Sequence, residues 1–207
     1  MPRASLSARR LLGFDRSGPP PPQTEPGAPL RPWTVPNAIG YVRAALIPAI
    51  LVLDYSSRSG TDTAAAICFF FAGMGDYADG IAARVTGQYS RLGVLLDPVL
   101  DRLLVLAGLC VCWSYELLPR WLVAVVVARE ALMLAVGQAW VRRGLTLRIN
   151  WPGRIAVGPT MFGIWLALLG DGDAAEGFVY AGITLAILAT GYYFRDGLRE
   201  LRVSSSA

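Results

Sequence analysis

The stretch Gly75–Arg102, GDYADGIAARVTGQYSRLGVLLDPVLDR, places four aspartates, Asp76, Asp79, Asp97 and Asp101, between two strongly apolar segments. Asp76 and Asp79 are three residues apart, and Asp97 and Asp101 are four apart, so each pair shares one face of a helix. Two antiparallel neighbouring helices can turn those faces toward each other. Four ionised carboxylates in one small apolar volume repel strongly, so some stay protonated or cations neutralise them.

The surrounding chain explains why the cluster is unusual. It has 207 residues, is 54% hydrophobic and has a mean hydropathy of +0.45, which is more apolar than an ordinary soluble domain. Apolar stretches near 35–54, 61–80, 93–115, 119–141, 153–170 and 175–195 each approach the ~20 residues that a bilayer core requires. The connections YSSRSG, YELLP and GDGDAAEG are short and polar and leave no room for a soluble domain. The expected fold is therefore an all-α integral membrane protein with six transmembrane helices, forming one membrane domain over 35–202.

Charge orients these spans. Arg3, Arg9, Arg10, Arg16 and Arg31 precede the first span; Arg84 and Arg91 lie between the second and third. Arg142, Arg143, Arg148 and Arg154 gather between the fourth and fifth, and Arg195, Arg199 and Arg202 at the C-terminal end. The opposite connections hold only Arg58 and Arg120 as basic residues, and the last of them carries Asp171, Asp173 and Glu176. The excess of arginine on one side predicts cytoplasmic termini in a multi-pass cell-membrane protein. All four aspartates then lie in the cytoplasmic half, near headgroup depth.

Residues 1–34 have a different composition. RASLSARRLLGF predicts a short basic amphipathic helix on an anionic membrane surface, and SGPPPPQTEPGAPLRP an extended linker. The apolar part of the N-terminus is too short for a secretory signal. Residues 203–207 form a C-terminal tail.

Composition also excludes several chemistries. There is no histidine, which removes imidazole acid/base catalysis and His-ligated zinc or haem. All 19 basic residues are arginine, so no lysine can form a Schiff base or serve as a P-loop ligand. Cys68, Cys110 and Cys112 sit inside apolar runs and read as packing residues, with Cys110 and Cys112 on different helix faces.

Oxygen ligands without imidazole or a suitably placed thiolate favour a hard cation, Mg²⁺ or Mn²⁺, at the aspartates. The alternative is a set of solvated or arginine-paired acids at a helix edge. Gly75, Gly80 and Gly93 let a ligand approach, or equally let helices pack. Arg84 and Arg91 can hold a phosphate or sit at the membrane surface, and Pro98 is a kink point one turn into the third span. Divalent ions at headgroup depth, ringed by arginines, suit a lipid phosphate or pyrophosphate, with a carboxylate free of metal taking a proton from an attacking hydroxyl.

These residues carry a resemblance. Asp76, Asp79, Gly80, Ala83, Arg84, Gly93, Asp97 and Asp101 match every fixed position of D-x-x-D-G-x-x-A-R-x8-G-x-x-x-D-x-x-x-D, the signature of the CDP-alcohol phosphotransferases. WTVPNAIGYVRAALIPAILVL, VVARE and INWPGRIAVGPTM are similar to the branch of phosphatidylglycerophosphate and cardiolipin synthases. Arg154 and Arg102 stand where that branch often has lysine. The resemblance implies transfer of a phosphatidyl group from CDP-diacylglycerol to an alcohol, with release of CMP. It implies that Asp76, Asp79 and Asp97 bind divalent metal, and that Asp101 is the base and touches metal too. It further implies that Gly80, Ala83, Arg84 and Gly93 line the cytidine pocket and that the enzyme is a homodimer.

A phosphorylated acceptor needs positive charge, for which Arg154 and Arg195 are the candidates, with helix-end anchoring as the alternative role. Asn37 either donates to a phosphate or caps the first helix. Arg43, within the first span, must face the bundle or snorkel, and adjacent Arg129 and Glu130 must find internal partners. sn-Glycerol 3-phosphate is the first expected acceptor, phosphatidylglycerol the second and inositol phosphate a distant third. An ion or proton transporter is the alternative of another class. It is disfavoured because the acids lie toward one surface and the motif is not repeated in the second half.

Overall fold

The computed structural model describes residues 22–25, 27–142 and 151–204. The expected basic amphipathic segment falls on residues 1–21, outside the described residues. All helices and turns among the described residues follow one order. A 3-10 turn at Pro22–Thr24 is followed by α1 (Val35–Ser56), α2 (Thr63–Thr86), α3 (Arg91–Ser114), α4 (Arg120–Arg142), α5 (Trp151–Leu168) and α6 (Gly172–Ser204).

Each expected span falls on one helix, with differences at the ends. α2 continues past Gly80 to Thr86, and Gly87 follows with φ 65°, a backbone conformation that glycine adopts without strain and that commonly ends helices. Asp79, Gly80, Ala83 and Arg84 are therefore all helical. α6 reaches Ser204 and has 33 residues, which at 1.5 Å per residue is about 50 Å, longer than a bilayer core of about 30 Å. Between α5 and α6, Gly170 has φ 87°. Asp171 then caps α6, its Oδ1 accepting from Ala174 N at 3.3 Å and its carbonyl from Ala175 N at 3.0 Å.

α1 and the Gly172–Gly191 portion of α6 are each long and apolar enough to cross a membrane, and Val157–Leu168 is a shorter apolar helix. α2 and α3 are diluted by the charges of the aspartate motif.

The chain divides into two compact units. Among the described residues, one comprises those up to Ser56 with Ala64–Ala107; the other comprises Ser57–Thr63 with those from Gly108 onward. In the first, α1 buries Asn37, Gly40, Arg43, Ile47, Ile50 and Asp54, a spacing of three and four that defines one helix face. α2 buries Ala65, Ala66, Phe69, Ala72, Gly75 and Asp79 in the same register. The α2 face runs from apolar residues to Asp79, and the α1 face places Asn37 and Arg43 in its first half and Asp54 at its far end, with Ile47 and Ile50 between.

In the second unit α5 and α6 pack closely. A Cβ on Gly163 would lie 2.6 Å from Val179 Cγ2 and 2.8 Å from the Ala175 carbonyl, and one on Gly182 would lie 2.9 Å from Thr160 N. Glycine at these positions lets the two backbones approach, as small residues do in membrane helix pairs. Cys112 is buried and Cys110 exposed, as opposite helix faces require. Arg129 Nη1 pairs with Glu130, while Arg129 Nε is buried without a hydrogen-bond partner among the described residues.

Candidate active site

The site is built in the first unit from the polar ends of α1, α2 and α3 and from the segment that leads into α1. Thr34 is the N-cap of α1: its carbonyl accepts from Ala38 N at 3.0 Å and its hydroxyl from Asn37 N at 3.3 Å. Asn37 sits in the first turn and is 1% exposed. Its Nδ2 donates to the carbonyls of Arg31 at 2.9 Å and Pro32 at 3.1 Å, while its Oδ1 accepts from Ser90 Oγ at 2.8 Å. Ser90 Oγ in turn accepts from Gly93 N at 2.9 Å, at the start of α3.

Both amide hydrogens of Asn37 are thus committed to backbone carbonyls, which leaves none to donate to a phosphate. Asn37 ties the entering chain to the α2–α3 connection. Further bonds hold the same segment: Leu92 N to the Leu30 carbonyl at 3.3 Å, Tyr41 OH to the Pro32 carbonyl at 3.0 Å, and Val35 N to Gln88 Oε1 at 3.0 Å. The end of the Pro-rich stretch is therefore bonded into this unit.

A cleft opens beside this network. α2 lines it with Asp79, Gly80 and Ala83, α3 with Gly93 and Asp97, and α1 with Asn37 and Gly40. Asn37 and Gly40 on α1, Asp79 and Ala83 on α2, and Gly93 and Asp97 on α3 are three or four residues apart, so each pair shares a helix face. Thr24 and the connection residues Gln88, Tyr89 and Ser90 complete the walls. A Cβ on Gly93 would lie 2.9 Å from Asn37 Oδ1 and 3.2 Å from Ser90 Oγ, so glycine there is needed for packing as well as for access. Arg84 is not among the lining residues; its guanidinium lies over Gly80, with Nη2 3.4 Å from where a Cβ would be.

The aspartates meet a residue the sequence reading did not connect with them. Arg43, on the same face of α1 as Asn37 and Gly40, is 2% exposed. Its Nη1 lies 3.2 Å from Asp79 Oδ2 and 3.6 Å from Asp76 Oδ1, and its Nη2 lies 2.5 Å from Asp101 Oδ1. Its Nε donates to the Ala72 carbonyl at 2.9 Å. The signal was present in the spacing, because Asn37, Gly40 and Arg43 repeat every three residues.

The motif therefore gathers Asp76, Asp79 and Asp101 on one guanidinium, and Asp97 with Asp79 on the cleft wall. Asp79 is 8% exposed at its side chain, whereas Asp76 and Asp101 are each 51% exposed and can meet a ligand. Among the described residues no three His, Cys, Asp or Glu side chains already converge as a cation cage. The donor chemistry, carboxylate oxygens alone, fits a hard divalent ion; in the arrangement described, three of these carboxylates are turned to Arg43. Arg154 lies in the first turn of α5 and Arg195 in α6, and their side chains fall outside the described residues.

Comparison with known proteins places this geometry. Residues 33–191 match the family model described as CDP-alcohol phosphatidyltransferase. A Streptomyces coelicolor protein named cardiolipin synthase (CMP-forming) is 36% identical over 163 residues, covering 73% of this chain and 76% of that protein. A Mycobacterium tuberculosis protein provisionally named cardiolipin synthase is 35% identical over 164 residues, 79% of this chain and 78% of its own. A Bacillus subtilis protein named CDP-diacylglycerol–glycerol-3-phosphate 3-phosphatidyltransferase is 30% identical over 135 residues, 59% of this chain and 70% of that protein. With its eight motif residues in place and residues 33–191, more than half its length, within the family model, the chain belongs to the CDP-alcohol phosphatidyltransferase family.

Proposed function

We propose that this chain transfers the phosphatidyl group of CDP-diacylglycerol to phosphatidylglycerol, forming cardiolipin and releasing CMP. The observation that carries the reaction class is the shared cleft: Asp79, Gly80, Ala83, Gly93 and Asp97 of one motif face it together from α2 and α3. The small residues let a ligand come close to the backbone, and two carboxylates of the motif face the same cleft.

The acceptor oxygen forms a bond to the phosphorus that bears the diacylglycerol. The bond from that phosphorus to the bridging oxygen breaks, its electron pair leaves with CMP, and the acceptor proton passes to a carboxylate oxygen of Asp101. The half-exposed side chain of Asp101 supports this role. Asp76, Asp79, Asp97 and Asp101 would hold Mg²⁺ or Mn²⁺, which supplies neutralisation of the pyrophosphate charge when bound. Arg154 and Arg195 would hold the anionic headgroup of the acceptor.

Phosphatidylglycerol is preferred over sn-glycerol 3-phosphate because the relatives named for cardiolipin synthesis share more identity with this chain, 35–39% against 26–30%. Glycerol 3-phosphate is the second reading. The test is purified protein in liposomes with CDP-diacylglycerol, Mn²⁺ and each acceptor in turn, read by lipid mass spectrometry. Cardiolipin formed only with phosphatidylglycerol is expected; phosphatidylglycerophosphate from glycerol 3-phosphate would move the assignment.

We further propose that all six helices span the membrane as a homodimer, with the termini and the cleft on the cytoplasmic side. The large apolar side chains left exposed on α1, α2 and α6, such as Val52, Phe71 and Ile187, support a lipid environment. The 90% exposure of Trp33 just before α1 supports a role as interfacial anchor. Labelling of single cysteines in the connections from either side of intact cells checks the orientation, and cross-linking in membranes checks the dimer.

A further inference from the structure

We infer that Arg43 is a built-in counter-cation, a positioning residue that holds the aspartate cluster together without divalent ions and yields its carboxylates to them when they bind. The inference rests on the proposed metal site.

Arg43 lies on α1, outside the aspartate motif, yet both arms of its guanidinium reach that motif. Nη1 faces Asp76 and Asp79 of α2, and Nη2 faces Asp101 of α3. Nε is spent on the Ala72 carbonyl, so the planar group is fixed at three points. Its stem lies against Gly75, where any Cβ would fall 2.6 Å from Cδ. A buried guanidinium is costly without partners, and carboxylates crowded in a shielded site are costly without a cation. Each side of the arrangement removes the other's penalty. A carboxylate oxygen turned to a guanidinium is less available to a metal, and a positive charge within ion-pair range opposes the arrival of another. The fork therefore stabilises the metal-free protein and weakens its first metal-binding step.

The test uses the full-length protein in detergent, comparing wild type with Arg43→Gln and Arg43→Lys. Two quantities are read: the unfolding midpoint in EDTA and in saturating Mn²⁺, and Mn²⁺ affinity by electron paramagnetic resonance. For Arg43→Gln the expected results are a gap between the two midpoints wider than wild type by about 5 °C or more and Mn²⁺ binding tighter by about fivefold or more, the scale of an ordinary charge coupling. Arg43→Lys retains the charge and is expected to fall between them. An unchanged gap with unchanged or weaker Mn²⁺ affinity overturns the inference. Arg43→Gln protein that folds with Mn²⁺ and unfolds when stripped supports it, whereas protein that cannot fold even with Mn²⁺ overturns it in favour of a packing role. If wild type binds Mn²⁺ yet releases no CMP, the proposed reaction fails while the Arg43 result stands; if it binds no Mn²⁺, both fall.

Discussion

A Cβ placed on Gly75 would lie 2.6 Å from Cδ and 2.7 Å from Cγ of Arg43. That contact is closer than any side chain tolerates, and the guanidinium it would push is pinned by Ala72, Asp79 and Asp101. Gly75→Ala is expected to lower stability by about 1–3 kcal/mol, as overpacking in a close-fitting interior does. In an Arg43→Ala background the same change should cost little, because the obstructing stem is gone. A double-mutant cycle on the unfolding midpoint measures this coupling, and simple additivity would show that the two residues act independently.

Asn37→Ala removes one side chain from three bonds: it leaves the Arg31 and Pro32 carbonyls without its amide and Ser90 Oγ without its acceptor. Each buried group left unpaired costs about 1–3 kcal/mol. Because this network walls the cleft and Asn37 has no amide hydrogen left for a phosphate, the kinetic effect should fall on the donor. We expect a raised KM for CDP-diacylglycerol with the acceptor KM near wild type. A selective rise in acceptor KM would return Asn37 to the acceptor site.

Much of this arrangement was legible in the sequence, for reasons that differ by residue. Hydropathy located four of the helices to within two residues at each end but stopped six residues short of the end of α2 and nine short of the end of α6, and the three- and four-residue spacings put Asp76 with Asp79 and Asp97 with Asp101 on shared faces. Arg43 was read only as a charge that must face the bundle or snorkel, since sequence spacing relates residues within a helix and says little about which helix faces which. The binding of residues 30–32 into the first unit was hidden for another reason. Prolines and glycines suggest an extended linker, and the bonds that fix this segment are accepted by backbone carbonyls, which every residue carries.

Asp101→Asn keeps the shape of the side chain and removes its capacity to take a proton. If Asp101 is the base, kcat should fall by about 100-fold or more, while the KM for CDP-diacylglycerol changes little. EDTA should abolish CMP release from the unaltered protein, and Mg²⁺ or Mn²⁺ should restore it. For Asp101→Asn, excess Mn²⁺ is expected to restore nothing. Recovery of turnover with added metal would make Asp101 chiefly a metal ligand.

The α5–α6 contact offers a test far from the chemistry. At Gly182 an added Cβ would meet Thr160 backbone atoms, N at 2.9 Å and Cα at 3.2 Å, and backbone cannot swing aside as a side-chain end can. At Gly177, on the same helix, nothing lies within 4 Å of an added Cβ. Gly182→Ala should therefore destabilise by about 1–3 kcal/mol. Gly177→Ala should be neutral or stabilise by up to about 1 kcal/mol, through the better helix propensity of alanine. Unfolding midpoints in one detergent separate the two outcomes, and equal midpoints would mean that the helices do not approach as closely at Gly182 as the structure places them.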